Sequence, residues 1–301
     1  MTAYHVPVML QECIEALQIK PDGVYVDLTF GGGGHSAEIL KQVEQGHLYA
    51  FDQDDEAGQN AQEFEKRSFT FIKANFRFLE KFLRLNGVEE VDGILADLGI
   101  SSHQIDEASR GFSTRGDGEL DMRMNQNSQK SAAEVVNGYD ERELRNLFFK
   151  YGELKNAGKV ARALCASRIN KRIATTTDLI QILEGLAPRG KEFKFYAQVF
   201  QAIRIEVNDE MTALEGMLEQ CPQVLKKGGR VAMMSYHSLE DRLVKNFFNK
   251  GNVEGKEEKD FYGNVIRPLA PVNRKPIIAS EEEIKNNNRA RSAKLRVAEK
   301  N

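Results

Sequence analysis

Hydrophobic and polar residues follow two rhythms over the first hundred positions. Four short stretches, Gly23–Phe30, His47–Asp54, Phe69–Phe76 and Val91–Gly99, are rich in β-branched and aromatic residues and run out into Gly, Asp or Asn. Such stretches predict buried strands. Between them, Ser36–Glu44, Asp54–Lys66 and Phe78–Leu85 repeat apolar residues at helical spacing, as a helix with one buried face does. Strand alternating with helix predicts an α/β fold, a parallel sheet with helices on both faces. A further strand is expected at Gly229–His237, after a long helix over Glu210–Leu225.

The rhythm changes after residue 100. Ser101–Asn127 is rich in Gly, Ser, Asp and Arg, which predicts a long functional loop. From Ala132 to Asn208 the spacing is helical only, with Thr175–Asp178 as a helix start. The sequence therefore predicts a discontinuous α/β domain, 1–108 and 207–301, interrupted by a helical insertion at 109–206. After Gly251 the chain is polar and carries Pro268, Pro271 and Pro276, so it is expected to wrap or extend.

Composition narrows the class. The 301 residues are 41% hydrophobic and 29% charged, which excludes a collagen, a disordered chain or a disulfide miniprotein. No apolar run approaches about 18 residues, so no membrane span is expected. The segment Met1–Pro7 has no basic stretch leading into an apolar one, so no secretory signal is expected and the cytoplasm is the expected location. Cys13, Cys165 and Cys221 are far apart, which suits reduced buried thiols and gives no metal-ligand spacing.

Charge is unevenly spread. Residues 1–100 hold 17 acids and 8 bases, whereas residues 101–200 hold 13 acids and 16 bases. Between Arg142 and Arg172 there are nine Lys or Arg and two acids, and Lys285–Lys300 has six bases and one acid. Basic segments on an acidic body point to a polyanionic partner such as RNA, although a solvated helix face has the same composition.

Three clusters can carry chemistry. Asp27-Leu28-Thr29-Phe30 leads from a strand into Gly31–Gly34 and His35. A Gly-rich turn before a helix lets a ligand approach the backbone and points N–H groups at it. Asp52 ends the next strand, where a carboxylate can accept from ribose hydroxyls. Nucleoside-cofactor binding follows. Gly32, Gly34 and Ala37 also fit G-x-G-x-x-A, so a nicotinamide cofactor stays open, but four glycines followed by His35 suit the zwitterionic tail of S-adenosylmethionine better. Asp97 ends the fourth strand before Ser101-Ser102-His103-Gln104, placed to hold an ammonium or take an amine proton. Tyr236 and His237, in Ser235–Arg242, can stack on or hydrogen-bond a base edge. No G-x-S-x-G elbow supports a hydrolase.

These motifs together resemble a bacterial family, ribosomal RNA small-subunit methyltransferase H (RsmH, also called MraW). The resemblance runs almost end to end: HVPVML from His5, YVDLTFGGGGHS from Tyr25, AFDQD from Ala50, DGILADLGISSHQ from Asp92, RGFSTRGDGELDMRMN from Arg110, RIEVNDE from Arg204, SYHSLEDRLVK from Ser235 and NRARSAKLR from Asn288. It implies a Rossmann-like class I methyltransferase domain with a helical insertion. It implies N4-methylation of a cytidine in the decoding region of 16S ribosomal RNA, with S-adenosylmethionine as cofactor and a homodimeric state. Carried over, the cofactor contacts fall on Gly33, Gly34, His35, Asp52, Phe76, Asp97 and Gln104. Asp97, Tyr236 and His237 are the candidates for catalysis. The insertion, the Arg110–Arg123 loop and the basic tail are expected to grip RNA. Two alternatives are a nicotinamide oxidoreductase and a non-enzymatic ribosome assembly factor.

Overall fold

The computed structural model describes residues 7–64 and 68–301. His5 and Val6 of the HVPVML motif, the remainder of the N-terminal segment before Pro7 and the last two residues of the Asp54–Lys66 stretch lie outside the described residues. The chain divides into two compact units, one of residues 1–99 and 211–301, the other of residues 100–210. The boundaries read from the sequence, 108/109 and 206/207, fall inside the second unit.

In the first unit the expected strands form β1 (Val24–Asp27), β2 (His47–Asp52), β3 (Phe69–Lys73), β4 (Val91–Asp97) and β5 (Leu225–Ser235). They pair in parallel, in the spatial order β3-β2-β1-β4-β5. The period of two in these strands sends alternate side chains to opposite faces. Tyr25, Leu95, Ala232 and Met234 join one core with the helices Leu10–Leu17 and Gly34–Gln42, whereas Val26, Ile94, Ala96, Val231 and Met233 join the other with Leu79–Leu85, Glu210–Val224 and Ser238–Lys250. Both faces are covered, so these strands read as nearly continuous apolar runs.

The chain beyond Gly251 corrects one expectation. It does not simply wrap or extend: it forms β6 (Leu269–Pro271) and β7 (Lys294–Lys300), and β7 lies antiparallel between β5 and β6. The alternation is present in Lys294-Leu295-Arg296-Val297, but its polar members are all cationic and read as a basic tail. Leu295 and Val297 are buried, and Lys294 and Arg296 both reach Asp241, at 3.1 and 2.7 Å. Lys300 donates to the Leu225 carbonyl. These tail cations serve the sheet edge.

The second unit contains helices Ser102–Asp106, Ala132–Gly138, Glu141–Lys150, Ala157–Asn170, Thr176–Glu184 and Glu192–Asn208, with no ladder strand among its described residues. Capping boxes at Ser101, Ser131, Asp140 and Thr175 start four of them. Its own core includes Leu144, Phe148, Val160, Leu164, Leu179 and Ile203. The loop from Arg110 to Arg123 is tied inward. Arg110 is buried and donates to the carbonyls of Arg123 and Met124, and Arg123 forks onto Asp121 at 2.9 and 2.6 Å. Neither guanidinium stands ready for a phosphate. Cys13 and Cys221 are buried free thiols and Cys165 is half-buried. Among the described residues no helix is long and apolar enough to cross a membrane.

Candidate active site at the carboxyl edge of the sheet

The strands β1, β2 and β4 are neighbours and end in Asp27, Asp52 and Asp97. In a parallel sheet of this kind ligands bind beyond the carboxyl ends of the strands, where the strand order reverses. Here the reversal lies between β1 and β4, since the chain winds outward from β1 through β2 to β3 and then returns.

The Gly loop after β1 is shaped by close contacts. Gly33 sits at φ 76°, and a Cβ there would lie 2.8 Å from ring atoms of Phe30 and Phe64. A Cβ on Gly34 would lie 2.3 Å from Pro7 Cγ. The turn therefore requires glycine at both positions. Gly31 N donates to Asp52 Oδ2 at 2.8 Å and Asp54 N donates to Asp52 Oδ1 at 2.9 Å, so Asp52 joins the loop to the end of β2. Phe76, half-buried, opens the short turn Phe76–Phe78. Its neighbour Asn75 donates to Gln53 at 3.0 Å, which keeps that turn beside the end of β2.

Asp27 is fully buried, accepting from Ser36 Oγ at 2.7 Å and Thr29 N at 3.1 Å. Thr29 Oγ1 accepts from Asp97 N at 2.7 Å, which couples the ends of β1 and β4. Asp97 Oδ1 accepts from the Tyr236 hydroxyl at 2.7 Å. Its Oδ2 lies 3.9 Å from His35 Nδ1. His35 Nε2 is 3.2 Å from the Val8 carbonyl, which can only accept, so this nitrogen carries the hydrogen.

The electrostatics of this edge are one-sided. Burial, with a smaller contribution from the charge on Asp27, pushes the carboxyls of Asp52 and Asp97 up to about 6. Burial also raises Asp27, against hydrogen bonds from Ser36 and Thr29. Among the described residues no Lys or Arg forms an ion pair with any of the three. Holding carboxylates out of water without cations is costly. A ligand with cationic centres and hydroxyl donors fits this donor set, whereas a bare phosphate does not.

Tyr236 and His237 follow β5. Burial, and the Asp97 carboxylate next to it, raise the Tyr236 hydroxyl far above the usual phenol range, so it stays a donor. His237 has a different setting. It caps the helix Ser238–Lys250, its Nδ1 accepting from Glu240 N at 3.4 Å, and its Nε2 lies 3.1 Å from Glu240 Oε1 but off line for a hydrogen bond. Glu240 in turn accepts from the backbone N–H groups of Tyr236 and His237. The geometry brings Asp97, Tyr236 and His35 together and leaves His237 turned into its own helix start. Gln104 belongs to the second unit, where its carbonyl oxygen accepts from Ser101 N in a capping box. Sequence reasoning about roles missed Asp27 as a member of the charge cluster, although its place before the glycines was visible.

A family model described as MraW methylase family matches residues 2–301. A protein of Cytophaga hutchinsonii named ribosomal RNA small subunit methyltransferase H is 58% identical over 297 residues, covering 99% of each chain. A protein of Christiangramia forsetii with the same name is 55% identical, covering 99% of this chain and 98% of its own. A solved rRNA methylase from Streptococcus thermophilus superposes with TM-score 0.40 at 12% identity, covering 96% of this chain and 94% of its own, a likeness that carries no functional weight. On the family match and these relatives, the chain belongs to the MraW methylase family, whose methyl donor is S-adenosylmethionine.

Proposed function

We propose that this chain methylates small-subunit ribosomal RNA, at the N4 amine of a cytidine in the decoding region of the 16S molecule. The names of its relatives support the RNA class, and the motif resemblance supports the base and position. The observation that carries the site assignment is the Tyr236–Asp97 hydrogen bond among carboxylates that lack Lys or Arg partners. The residues fit the cofactor by donor chemistry. Asp52 would accept from the ribose hydroxyls, Asp97 would hold the ammonium, and Phe76 with the loop of Gly33, Gly34 and His35 would supply the further contacts. The motif resemblance adds Gln104 to these contacts. When bound, S-adenosylmethionine supplies an electrophilic methyl group on sulfonium.

The N4 lone pair of cytosine is delocalised into the ring, so the amine is a poor nucleophile. Holding it in line supplies much of the rate. In this reading Asp97 Oδ2 accepts an N4 hydrogen, which localises the lone pair, and takes the proton as the carbon–nitrogen bond forms. Tyr236 fixes the other carboxylate oxygen and presents its ring to the base. His237 acts as a positioning residue, holding Glu240 and through it the Tyr236 backbone. A base inside folded RNA must swing out of its stack to reach such a pocket. The helical insertion is the RNA-recognition part of this reading.

The nicotinamide alternative has no further support once the chain is placed among methylases. The assembly-factor alternative leaves unexplained why buried Asp27 and half-buried Asp52 and Asp97 share one edge without Lys or Arg partners among the described residues. The test is methyl transfer from labelled S-adenosylmethionine to small subunits from cells lacking the gene, with nucleosides identified by mass. N4-methylcytidine is expected from the wild-type chain. Asp97→Ala should lose about a thousandfold in rate. Product at another base or atom overturns the proposal.

A further inference from the structure

Two loops of the helical unit are fastened side by side. Asn156 Nδ2 donates to the Leu186 carbonyl at 3.2 Å. Gln198 and Gln201, on the helix Glu192–Asn208, donate to the carbonyls of Gly152 and Tyr151, each at 3.0 Å. Residues 150–159 and 189–194 are thereby drawn onto one part of the unit. Together they hold six Lys or Arg and two Glu. All six cations, Lys150, Lys155, Lys159, Arg189, Lys191 and Lys194, are exposed. None forms an ion pair among the described residues, whereas Arg162 faces Glu141, Lys171 binds Asp178 and Arg168 donates to the Val136 carbonyl. Glu192 is turned back on its own loop, accepting from Gly190 N at 2.8 Å, which holds the turn rather than a lysine.

Phe193 lies between Lys191 and Lys194 in the chain with 85% of its surface exposed, two residues before Phe195, which is 3% exposed and part of the core. A single exposed apolar side chain is ordinary. An aromatic ring flanked by cations with no acidic partners is the combination that binds single-stranded nucleic acid: cations take phosphates and the ring takes a base face.

We propose that this surface, Phe193 with Lys191 and Lys194 and the neighbouring loop that carries Lys155 and Lys159, docks a single-stranded segment of ribosomal RNA, with Phe193 stacking on an unpaired base. It deepens the proposed function and rests on it for the identity of the RNA. The charge favours RNA over a protein, since a neutral or basic protein surface would meet several uncompensated cations.

The test is equilibrium binding of the full chain to fluorescently labelled small subunits lacking the modification, and to protein-free 16S RNA, across a range of salt. Phe193→Ala should weaken both by about tenfold and Phe193→Trp should restore them. Lys191→Ala with Lys194→Ala should flatten the logarithmic salt dependence by about one unit per lysine. Lys227→Glu, on the other unit, controls for net charge, and unchanged S-adenosylmethionine binding controls for folding. Wild-type affinity in the Phe193 and lysine variants overturns the proposal, as does loss on whole subunits with full retention on protein-free RNA, which assigns the surface to a protein. A wild-type chain that binds RNA without transferring methyl overturns the proposed function and leaves the surface to these same binding data. A chain that methylates normally with both variants binding as wild type overturns the surface alone.

Discussion

The two units hold unmatched charge in opposite ways. At the sheet edge Asp27 is buried and Asp52 and Asp97 are half-buried with no Lys or Arg partner among the described residues, while in the helical unit six cations are exposed, two of them flanking the exposed ring of Phe193 in sequence. A buried unmatched charge costs several kcal/mol, so it persists only where something else requires it. An exposed lysine costs almost nothing, so its presence alone carries little information. The acidic edge is therefore strong evidence for a cationic ligand from three residues. The basic surface needs a pattern of pairing, attachment and an aromatic neighbour before it means anything.

The comparison breaks first at Asp52. Asp52→Asn should weaken S-adenosylmethionine about 10- to 100-fold in calorimetry, because a charged acceptor for two hydroxyls is lost. An unchanged affinity would remove Asp52 from the binding site and make it only a clasp for Gly31 and Asp54.

A smaller effect follows from pH. Asp52 and Asp97 titrate at about 6 in the folded chain, above the value of about 4 for a free Asp. The folded state then binds more protons than the unfolded state between about pH 4 and pH 6, so the cofactor-free chain should lose stability as pH rises through that window. Cofactor binding needs the ionised carboxylates and should move the opposite way, weakening by up to about tenfold per group for each pH unit below 6. Calorimetric melting and binding at pH 5 and pH 7 check both signs. Melting and binding that change in the same direction would contradict the assignment.

The smallest expected effect sharpens the other half. Lys294 carries the same ammonium group as Lys191, yet it is engaged with Asp241. Lys294→Ala should change stability by less than about 1 kcal/mol and leave subunit binding as it was. A loss of RNA affinity equal to that of the Lys191 and Lys194 variants would show that pairing does not separate structural from RNA-binding cations here.

Much of the fold is legible in the sequence. The five parallel strands carry apolar residues on both faces, and such runs announce themselves whatever surrounds them. The strand β7 did not, because Lys294 and Arg296 are cations whose partner, Asp241, is more than fifty positions away in sequence. The same distance effect hid the function of single side chains. Asp52 and Asp97 could be picked out because a carboxylate ending a strand beside a Gly turn has a known geometry. His237 looked equivalent to Tyr236, since both follow one strand, yet a cap on the next helix draws its ring toward Glu240.

Local pattern alone therefore determined the parallel sheet, its helices, the Gly turn and the acids that end β1, β2 and β4. These depend on period, propensity and turn chemistry within about ten residues, and short-range sterics settle them. Only the tertiary structure decided which charges are matched. It paired Arg296 and Lys294 with Asp241, turned Arg110 inward, left Lys191 and Lys194 in solvent and drew Asp97 onto Tyr236. Charge pairing acts through space between residues remote in the chain, and burial sets its strength, so neither can be read along the sequence.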